Sequence, residues 1–328
     1  MNKSNSLIGL IILFITQLGF SQSEFSASGY NSLRIENEIK LSVPLELSDS
    51  LWSFISDRYD NDGFYLQSID QSFNCKMAID SFTDQYFDNK NLDLLGIQSG
   101  VRYRSRYVLT DEPSRKDGRE LMQLKINDIA NNPLSRGEYK YKIKHYNEIE
   151  DPIDTHPFLG LVKRSHRDDL SEQLRNININ SLELFPTIKI TQIRKRIYVY
   201  KGETPFSTLT LDKVRAEYLG KSCIFLELEL ELNEIGYTES DSLVRKEMEK
   251  VNETIKLDVL NRFSRIEQDQ TPKYNKAAYI LGLNSHDLEI PIITDYQEKS
   301  SLKFYLFGGG ILIIMLSFYY FLKKRKLD

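Results

Sequence analysis

The sequence contains 328 residues, of which 41% are hydrophobic and 27% are charged, which is enough apolar material for a sizeable folded core. Its net charge is −4, so the chain has no overall positive charge that would attract nucleic acid, and no nucleic-acid partner is predicted. The 4 histidines lack the spacing of a zinc site, and the 2 cysteines, Cys75 and Cys223, either form a disulfide or remain free thiols.

The first 21 residues have the features of a secretory signal peptide. Lys3 precedes an apolar run from Leu7 to Phe20, and the small residues Gly19 and Ser21 flank Phe20 as in a cleavage site. This run is too short to cross a bilayer comfortably. We therefore expect residues 1–21 to be cleaved on export, with an uncleaved signal anchor as the alternative.

Residues 22–283 alternate between strand-like runs and a few helical runs. Alternation of polar and apolar residues predicts strands over Leu33–Val43, Phe73–Phe82, Val101–Leu109, Glu120–Asn127, Glu138–His145, Ile188–Tyr200, Ser207–Val214 and Cys223–Asn233. Apolar residues at helical spacing predict helices over Ser48–Tyr59, Tyr237–Phe263 and, briefly, Ser171–Arg175. The fold class is therefore α+β, mainly antiparallel β, with a barrel or strongly curved sheet flanked by helices.

The C-terminal region is predicted to anchor the chain in a membrane. Residues 304–322 are 19 uncharged residues in a row, which is long enough for one helix to cross a bilayer. The basic tail 323–328 favours the cytoplasmic side, and residues 284–303 form a juxtamembrane spacer. We expect a single-pass membrane protein whose folded domain is extracytoplasmic (periplasmic or extracellular) and whose C-terminus is cytoplasmic.

Like charges recur on single faces of several predicted strands. Residues two apart in a strand share a face. One such face carries Glu36, Glu38 and Lys40, a second carries Arg102, Arg104 and Arg106, and a third carries Glu227, Glu229 and Glu231. In one strand such a face would simply be solvated. Because the pattern recurs and like charges repel, we expect these faces to line a lumen that holds a polyanion and a hard cation.

In their order along the chain, these residues resemble the CYTH domain, the triphosphate tunnel metalloenzyme superfamily, which also includes polyphosphate-polymerase domains. Glu36, Glu38 and Lys40 resemble its ExExK strand. The more specific resemblance is to the YFDT…L…L…G…LRxR block, at Tyr86–Asn89, Leu92–Leu95 and Gly100–Arg104. The chain also resembles later elements of the family pattern, at Leu124-Lys125, Arg136-Gly137-Glu138, Arg194–Arg196, Leu211-Asp212, Glu227–Glu231 and Lys273.

This resemblance implies an eight-stranded closed β-tunnel that binds a triphosphate or polyphosphate and hydrolyses it with Mg²⁺ or Mn²⁺. The implied metal ligands are Glu36, Glu38, Glu227 and Glu229, with Glu231 as a possible third member. Phosphate oxygens would be bound by Lys40, Arg102, Arg104, Lys125, Arg136, Arg194, Arg196 and Lys273. Lys40, Lys125 and Glu231 are the implied catalytic residues, and Glu231 or Glu138 would orient the attacking water.

The sequence also departs from the family pattern. Lys140 stands where the family's RxExE element ends in glutamate, and Asn89 replaces a threonine. Lys140, Lys142 and Lys144 share one face, which fits either a longer ligand or an exposed edge strand. Three functions follow: an extracytoplasmic triphosphatase, a membrane-tethered polyanion-binding module without turnover, and a polyphosphate polymerase or adenylyl cyclase. The last is disfavoured because nucleoside triphosphates are scarce outside the cytoplasm.

Overall fold

A computed structural model describes residues 34–59, 64–108, 115–116, 120–127, 135–144 and 152–283. The predicted signal peptide (1–21), spacer (284–303), transmembrane segment (304–322) and basic tail (323–328) lie outside the described residues. Among the helices that are described, none is both long and apolar enough to span a membrane. Cys75 and Cys223 are free thiols, which removes the disulfide alternative.

The described chain contains ten strands and seven α-helices. The strands are β1 Arg34–Val43, β2 Phe73–Asp88, β3 Gly100–Val108, β4 Arg115–Lys116, β5 Leu121–Asn127, β6 Ser135–Lys142, β7 Phe185–Lys201, β8 Thr204–Tyr218, β9 Lys221–Leu232 and β10 Glu267–Gln268. The helices are α1 Ser48–Tyr59, α2 Phe64–Gln67, α3 Asp93–Gly96, α4 Arg164–Asn176, α5 Glu234–Glu239, α6 Ser242–Arg262 and α7 Lys273–Leu281. Short 3₁₀ turns occur at Leu45–Leu47, Pro152–Thr155, Leu159–Leu161 and Ser181–Glu183.

Eight of the strands form a closed antiparallel ring, which confirms the predicted eight-stranded barrel. The hydrogen-bonded order is β1-β6-β5-β3-β2-β7-β8-β9, and β9 pairs again with β1 to close the ring. The two-residue strands β4 and β10 attach to β3 and β1. Closure leaves each of the eight strands with two neighbours, so the backbone polar groups are paired around the ring.

The ring is apolar on its outside and charged on its inside. On β9, Leu226, Leu228 and Leu230 face outward and are fully buried in a core cluster. This cluster also contains Leu51 and Ile55 of α1 and a row of apolar residues on α6, at Met248, Val251, Ile255 and Val259. A second cluster covers the opposite side of the ring, where Leu124 and Tyr141 pack under Leu170 and Leu174 of α4. Burial of the outer face against helices is what turns the glutamates of β9 inward.

Several predicted boundaries were wrong. The helix predicted over Tyr237–Phe263 is divided into α5 and α6, because Asp241 accepts hydrogen bonds from the backbone N–H groups of Leu243 and Val244 and so begins a new helix. Helix α4 is longer than the predicted Ser171–Arg175. Strand β2 continues beyond Phe82 to Asp88 because β3 and β7 pair with it along that length.

Helix α7, which the sequence analysis did not include, lies against β7, β8 and β9. It begins after Pro272 and ends at Gly282, whose left-handed backbone (φ 67°) favours glycine. The ring of Tyr274 stacks on that of Tyr86 with centroids 4.7 Å apart and planes 2° from parallel. This contact places the first residues of α7 in the wall of the central cavity.

Candidate functional site

The ring encloses a cavity of about 1160 Å³ that is lined by residues from all eight of its strands. All eight predicted phosphate-binding residues line it: Lys40, Arg102, Arg104, Lys125, Arg136, Arg194, Arg196 and Lys273. Glu36, Glu38, Glu229 and Glu231 line the same cavity, whereas Glu227 is completely buried behind it. The structure therefore brings the predicted cations together with most of the predicted carboxylates.

Glu229 lies at the centre of a cation cluster, which consists of Lys40, Arg194 and Lys273. Lys40 Nζ and Lys273 Nζ each lie 2.5 Å from Glu229 Oε1, and Arg194 Nη2 lies 2.8 Å from Oε2. Burial alone would raise the pKa of Glu229, but the three neighbouring cations hold it well below its usual value. Both oxygens of Glu229 are therefore occupied by protein cations.

Glu227 is likewise surrounded by ammonium groups. Lys273 Nζ lies 2.8 Å from its Oε1, and Lys276 Nζ donates a 2.9 Å hydrogen bond to its Oε2. The Lys273 contact lacks hydrogen-bond geometry, so Oε1 has no hydrogen-bond partner despite the short ion pair. Both lysines belong to α7, so Glu227 binds this helix to the ring.

A different environment surrounds the carboxylate cluster, which consists of Glu36, Glu38 and Glu231. Glu38 and Glu231 are directly opposite each other across the β1–β9 pair. Burial, followed by the charges of Glu36 and Glu38, raises the pKa of Glu231 from 4.5 to about 7. The main compensating contact is from Lys125, whose Nζ lies 2.5 Å from Glu36 Oε2.

The carboxylate cluster has the donor chemistry of a site for a hard divalent cation. Three carboxylates on neighbouring strands face one another, and the buried Glu38 Oε1 accepts no hydrogen bond although Lys40 Nζ lies 3.0 Å away. Oxygen ligands of this kind suit Mg²⁺ and Mn²⁺. Within the described residues, however, no group of three or more His, Cys, Asp or Glu side chains has the spacing of a formed metal site. These three side chains have the right donor atoms for such an ion, but their spacing is not that of a complete coordination site.

Three buried aspartates hold five of the six arginines that line the cavity, and the sixth, Arg136, donates a 2.9 Å hydrogen bond to the backbone carbonyl of Gln270. Asp84 receives two 2.7 Å hydrogen bonds from Arg104 and one of 3.2 Å from Arg102. Burial would raise the pKa of Asp84, but these two guanidinium groups lower it.

Asp212 and Asp80 hold three further arginines in the same way. Asp212 receives hydrogen bonds of 2.7 and 2.5 Å from Arg194. Asp80 lies 3.0 Å from Arg106 Nη2 and 3.4 Å from Arg196 Nη2. The sequence analysis matched Asp212 to the family pattern without giving it a role, and it missed Asp80 and Asp84, although these two share one face of β2.

The basic run at the end of β6 has more than one environment. Lys140 Nζ lies 2.5 Å from Glu138 Oε2 and lines the cavity, whereas Lys142 is exposed and Lys144 pairs with Asp154. β6 pairs with β5 over residues 136–142 but with β1 only over residues 135–138, so, within the described residues, its lysine-bearing end has a single strand neighbour. Burial would raise the pKa of Glu138, but Lys140 and then Lys125 lower it to about 2. Lys140 places a cation in the cavity wall at a position where the resembled RxExE motif has a glutamate.

Asp88 and Asn89, in the sequence block most specific to the resemblance, stabilise local structure. Asp88 accepts hydrogen bonds from the backbone N–H groups of Leu94 and Leu95 in α3 and from the hydroxyl of Tyr274. Burial raises its pKa to about 6. The Asn89 side chain accepts from the backbone N–H of Asp93 in the same turn. Both residues hold the turn between β2 and β3, and Asp88 also holds α7.

Comparisons with known proteins place this cavity in a family. The profile of the CYTH domain matches residues 66–263, and a search of curated proteins found no match. A proposed adenylate cyclase from Bacillus halodurans is 17% identical, with a TM-score of 0.42 and coverage of 74% of this chain and 97% of that chain. A protein from Pyrococcus horikoshii has 16% identity, a TM-score of 0.38 and coverage of 74% and 97%.

A third structure is a proposed adenylyl cyclase from Hippeastrum with a dominant triphosphatase activity. It has 16% identity, a TM-score of 0.37 and coverage of 76% of this chain and 96% of that chain. All three TM-scores lie below 0.5, so the family assignment rests on the domain profile, which covers more than half of the 328 residues. The chain belongs to the CYTH domain family.

Proposed function

We propose that this protein hydrolyses a terminal phosphoric anhydride of inorganic tripolyphosphate or a related triphosphate, with Mg²⁺ or Mn²⁺ as the metal ion. The observation that carries this proposal is the presence of two charge arrangements in one cavity. The carboxylate cluster has an excess of negative charge, whereas arginines and lysines dominate the surrounding wall. A polyanion and a divalent cation bound together would satisfy both.

The cations of the wall would bind the phosphate oxygens. The guanidinium groups of Arg102 and Arg104 are already held by Asp84, so little side-chain entropy is lost when a ligand binds. Lys40 lies between Glu229 and the carboxylate cluster, so its ammonium group is placed to neutralise charge near the reacting phosphate. Burial would lower its pKa, but Glu229, Glu38 and Glu227 raise it, so Lys40 remains protonated.

Glu36, Glu38 and Glu231 would hold the metal ion. When bound, the ion supplies charge neutralisation and an activated water. Lys125, which lies 2.5 Å from Glu36, would keep the carboxylate cluster ordered and contact the substrate on the same side. Positioning and electrostatic stabilisation would provide most of the rate enhancement, as is general for phosphoryl transfer.

A second candidate function is the binding of a polyphosphate or another polyanion without turnover. It is favoured by Lys140, a cation in the cavity wall at a position where the resembled motif has glutamate. Such a module would bind tripolyphosphate equally well after chelation of divalent cations. Synthesis of polyphosphate or cyclisation of ATP is a third possibility, and the predicted export of the domain argues against it.

We further propose that the domain acts on the extracytoplasmic side of a membrane, with residues 304–322 as its anchor. The apolar segments at 7–20 and 304–322 and the basic residues from Lys323 support this orientation. Protease added to cells whose outer envelope has been opened, with the anchoring membrane left intact, is expected to degrade the domain while leaving a tag on the C-terminus protected. Protection of the domain itself would contradict the orientation.

The enzymatic proposal is tested by phosphate release from tripolyphosphate, ATP and pyrophosphate by the full-length protein with Mg²⁺ or Mn²⁺. Release from tripolyphosphate is expected to disappear in the double variant Glu36→Gln/Glu38→Gln. The variant Glu172→Gln, at an exposed position of α4, is the matched control and should retain activity. Tight binding without release under any metal condition would favour the binding module.

A further inference from the structure

Phe82 is an aromatic side chain without a polar atom in a cavity wall that is otherwise mostly charged or polar. It lies on the inner face of β2 between Asp80 and Asp84, because residues two apart in a strand share a face. Only 4% of its surface is exposed, and it lines the central cavity. Across the sheet it is opposite Arg106 on β3 and Gln192 on β7. A large apolar group at this position requires a physical explanation.

Three guanidinium groups surround the ring of Phe82. The guanidinium carbons of Arg104, Arg194 and Arg106 lie 4.5, 5.4 and 5.6 Å from the ring centroid. The negative faces of an aromatic ring attract cations at such distances, and the attraction is stronger where water is excluded. The ring is therefore a contact shared by arginines from two different strands.

Each of these arginines is also held by a different aspartate. Asp84 binds Arg104, Asp212 binds Arg194, and Asp80 binds Arg106. The aspartates neutralise and orient the guanidinium groups one by one, and none of these three ion pairs joins one arginine to another. The ring of Phe82 contacts all three arginines, so it fills the space between them and links their positions.

We propose that Phe82 is a positioning residue that holds Arg104, Arg106 and Arg194 together as one binding surface for the oxygens of a triphosphate. This inference rests on the proposed function, because it concerns how the same cavity binds its ligand. It assigns a role to Phe82, which the sequence analysis did not name, and to Arg106, which was expected to face the lumen but was not among the implied phosphate-binding residues. If Phe82 only filled space, the shape of the ring would matter and its electron distribution would not.

The experiment measures the Kd of tripolyphosphate by calorimetry with the full-length protein and two changes at Phe82. The substitution Phe82→Leu removes the ring, and replacement of Phe82 by pentafluorophenylalanine keeps nearly the same shape but removes the negative faces. Both changes are expected to weaken binding, roughly 3- to 30-fold, with the thermal unfolding temperature of the fluorinated protein close to that of wild type.

Phe87 provides the matched control. It lies on the outer face of β2 in the apolar core, where its ring contacts Phe158 with centroids 5.2 Å apart. Pentafluorophenylalanine at position 87 is expected to leave the Kd of tripolyphosphate unchanged. In an Arg106→Gln background, the effect of fluorination at position 82 should become smaller, because one of the three cation–π contacts is absent.

The outcomes separate the inference from the proposed function. Weaker binding with both changes at position 82, and unchanged binding with the fluorinated position 87, would support the role of Phe82. Wild-type affinity with the fluorinated ring at position 82 would overturn that role while leaving the proposed function intact. A wild-type protein that does not bind tripolyphosphate at all would overturn both.

Discussion

Glu229 and Glu231 lie two residues apart on the same face of β9, yet their surroundings are opposite. Three cations contact Glu229, and its pKa is well below the usual value for glutamate. Glu231 faces Glu36 and Glu38, and its pKa is raised to about 7. Identical residues at identical strand spacing therefore have different roles, and the strands opposite them decide which. Glu229 pairs with buried lysine and arginine side chains, whereas Glu231 lies beside two carboxylates that repel it.

The largest effect expected from this comparison is on folding stability. Glu229→Ala would leave Lys40, Lys273 and Arg194 buried without their shared partner, so the free energy of unfolding should fall by about 3–5 kcal/mol. Glu231→Ala, in the absence of divalent cations, should cost far less because it relieves repulsion. Urea denaturation of both variants tests the difference. Equal destabilisation would contradict the contrast between the two glutamates.

The pH dependence of stability should be the next largest effect. The folded pKa of Glu231, about 7, lies above its unfolded value of 4.5, so its contribution to stability is full below pH 4.5 and is lost as the pH rises to 7. The loss is up to ~3 kcal/mol for the metal-free protein. Denaturation at a series of pH values in a chelating buffer measures it.

Glu231→Gln is the control for this pH dependence, because glutamine does not titrate. The slope between pH 4.5 and 7 should flatten in this variant, apart from the smaller contribution of Asp88, whose pKa is also raised, to about 6. Glu229 cannot produce the slope, since its lowered pKa affects stability only at more acidic pH. An unchanged slope in Glu231→Gln would show that another group is responsible.

The smallest effect concerns two lysines on β6. Lys140 lines the cavity whereas Lys142 is exposed, so only the first is placed to contact a bound polyanion. Lys140→Met should weaken tripolyphosphate binding by about tenfold, which corresponds to one charge-assisted hydrogen bond. Lys142→Met is the matched variant and should leave the Kd within twofold of wild type. Equal losses would indicate long-range electrostatic attraction in place of direct contact.

Much of the fold could be predicted from the sequence because its charge pattern has a strict period of two. The leucines and glutamates of β9 alternate without interruption, and this alternation predicted a barrel with a charged interior. The gap between α5 and α6 was missed because apolar spacing continues across it, and the break depends on a single aspartate cap at Asp241. The extent of β2 was missed because its pairing partners are distant in sequence.

The sequence predicted which residues belong to the candidate site but not which of them contact one another. Strand spacing predicted that Lys40, Arg102 and Arg104 face the cavity, and the family resemblance implied the other five phosphate-binding residues. All eight line it. Which glutamate lies beside which cation depends on the register between strands, such as Lys40 opposite Glu229 and Glu38 opposite Glu231. Registers of this kind join residues almost 200 positions apart, and no local pattern encodes them.

The most direct test of this account is the binding of Mn²⁺ to the full-length protein, measured by electron paramagnetic resonance. Wild type is expected to bind Mn²⁺, and Glu231→Gln should lose most of that binding because the carboxylate cluster is reduced to two members. Glu227→Gln should retain it, since Glu227 binds the lysines of α7. Loss of Mn²⁺ binding in Glu227→Gln, with retention in Glu231→Gln, would contradict the assignment of the metal to Glu36, Glu38 and Glu231.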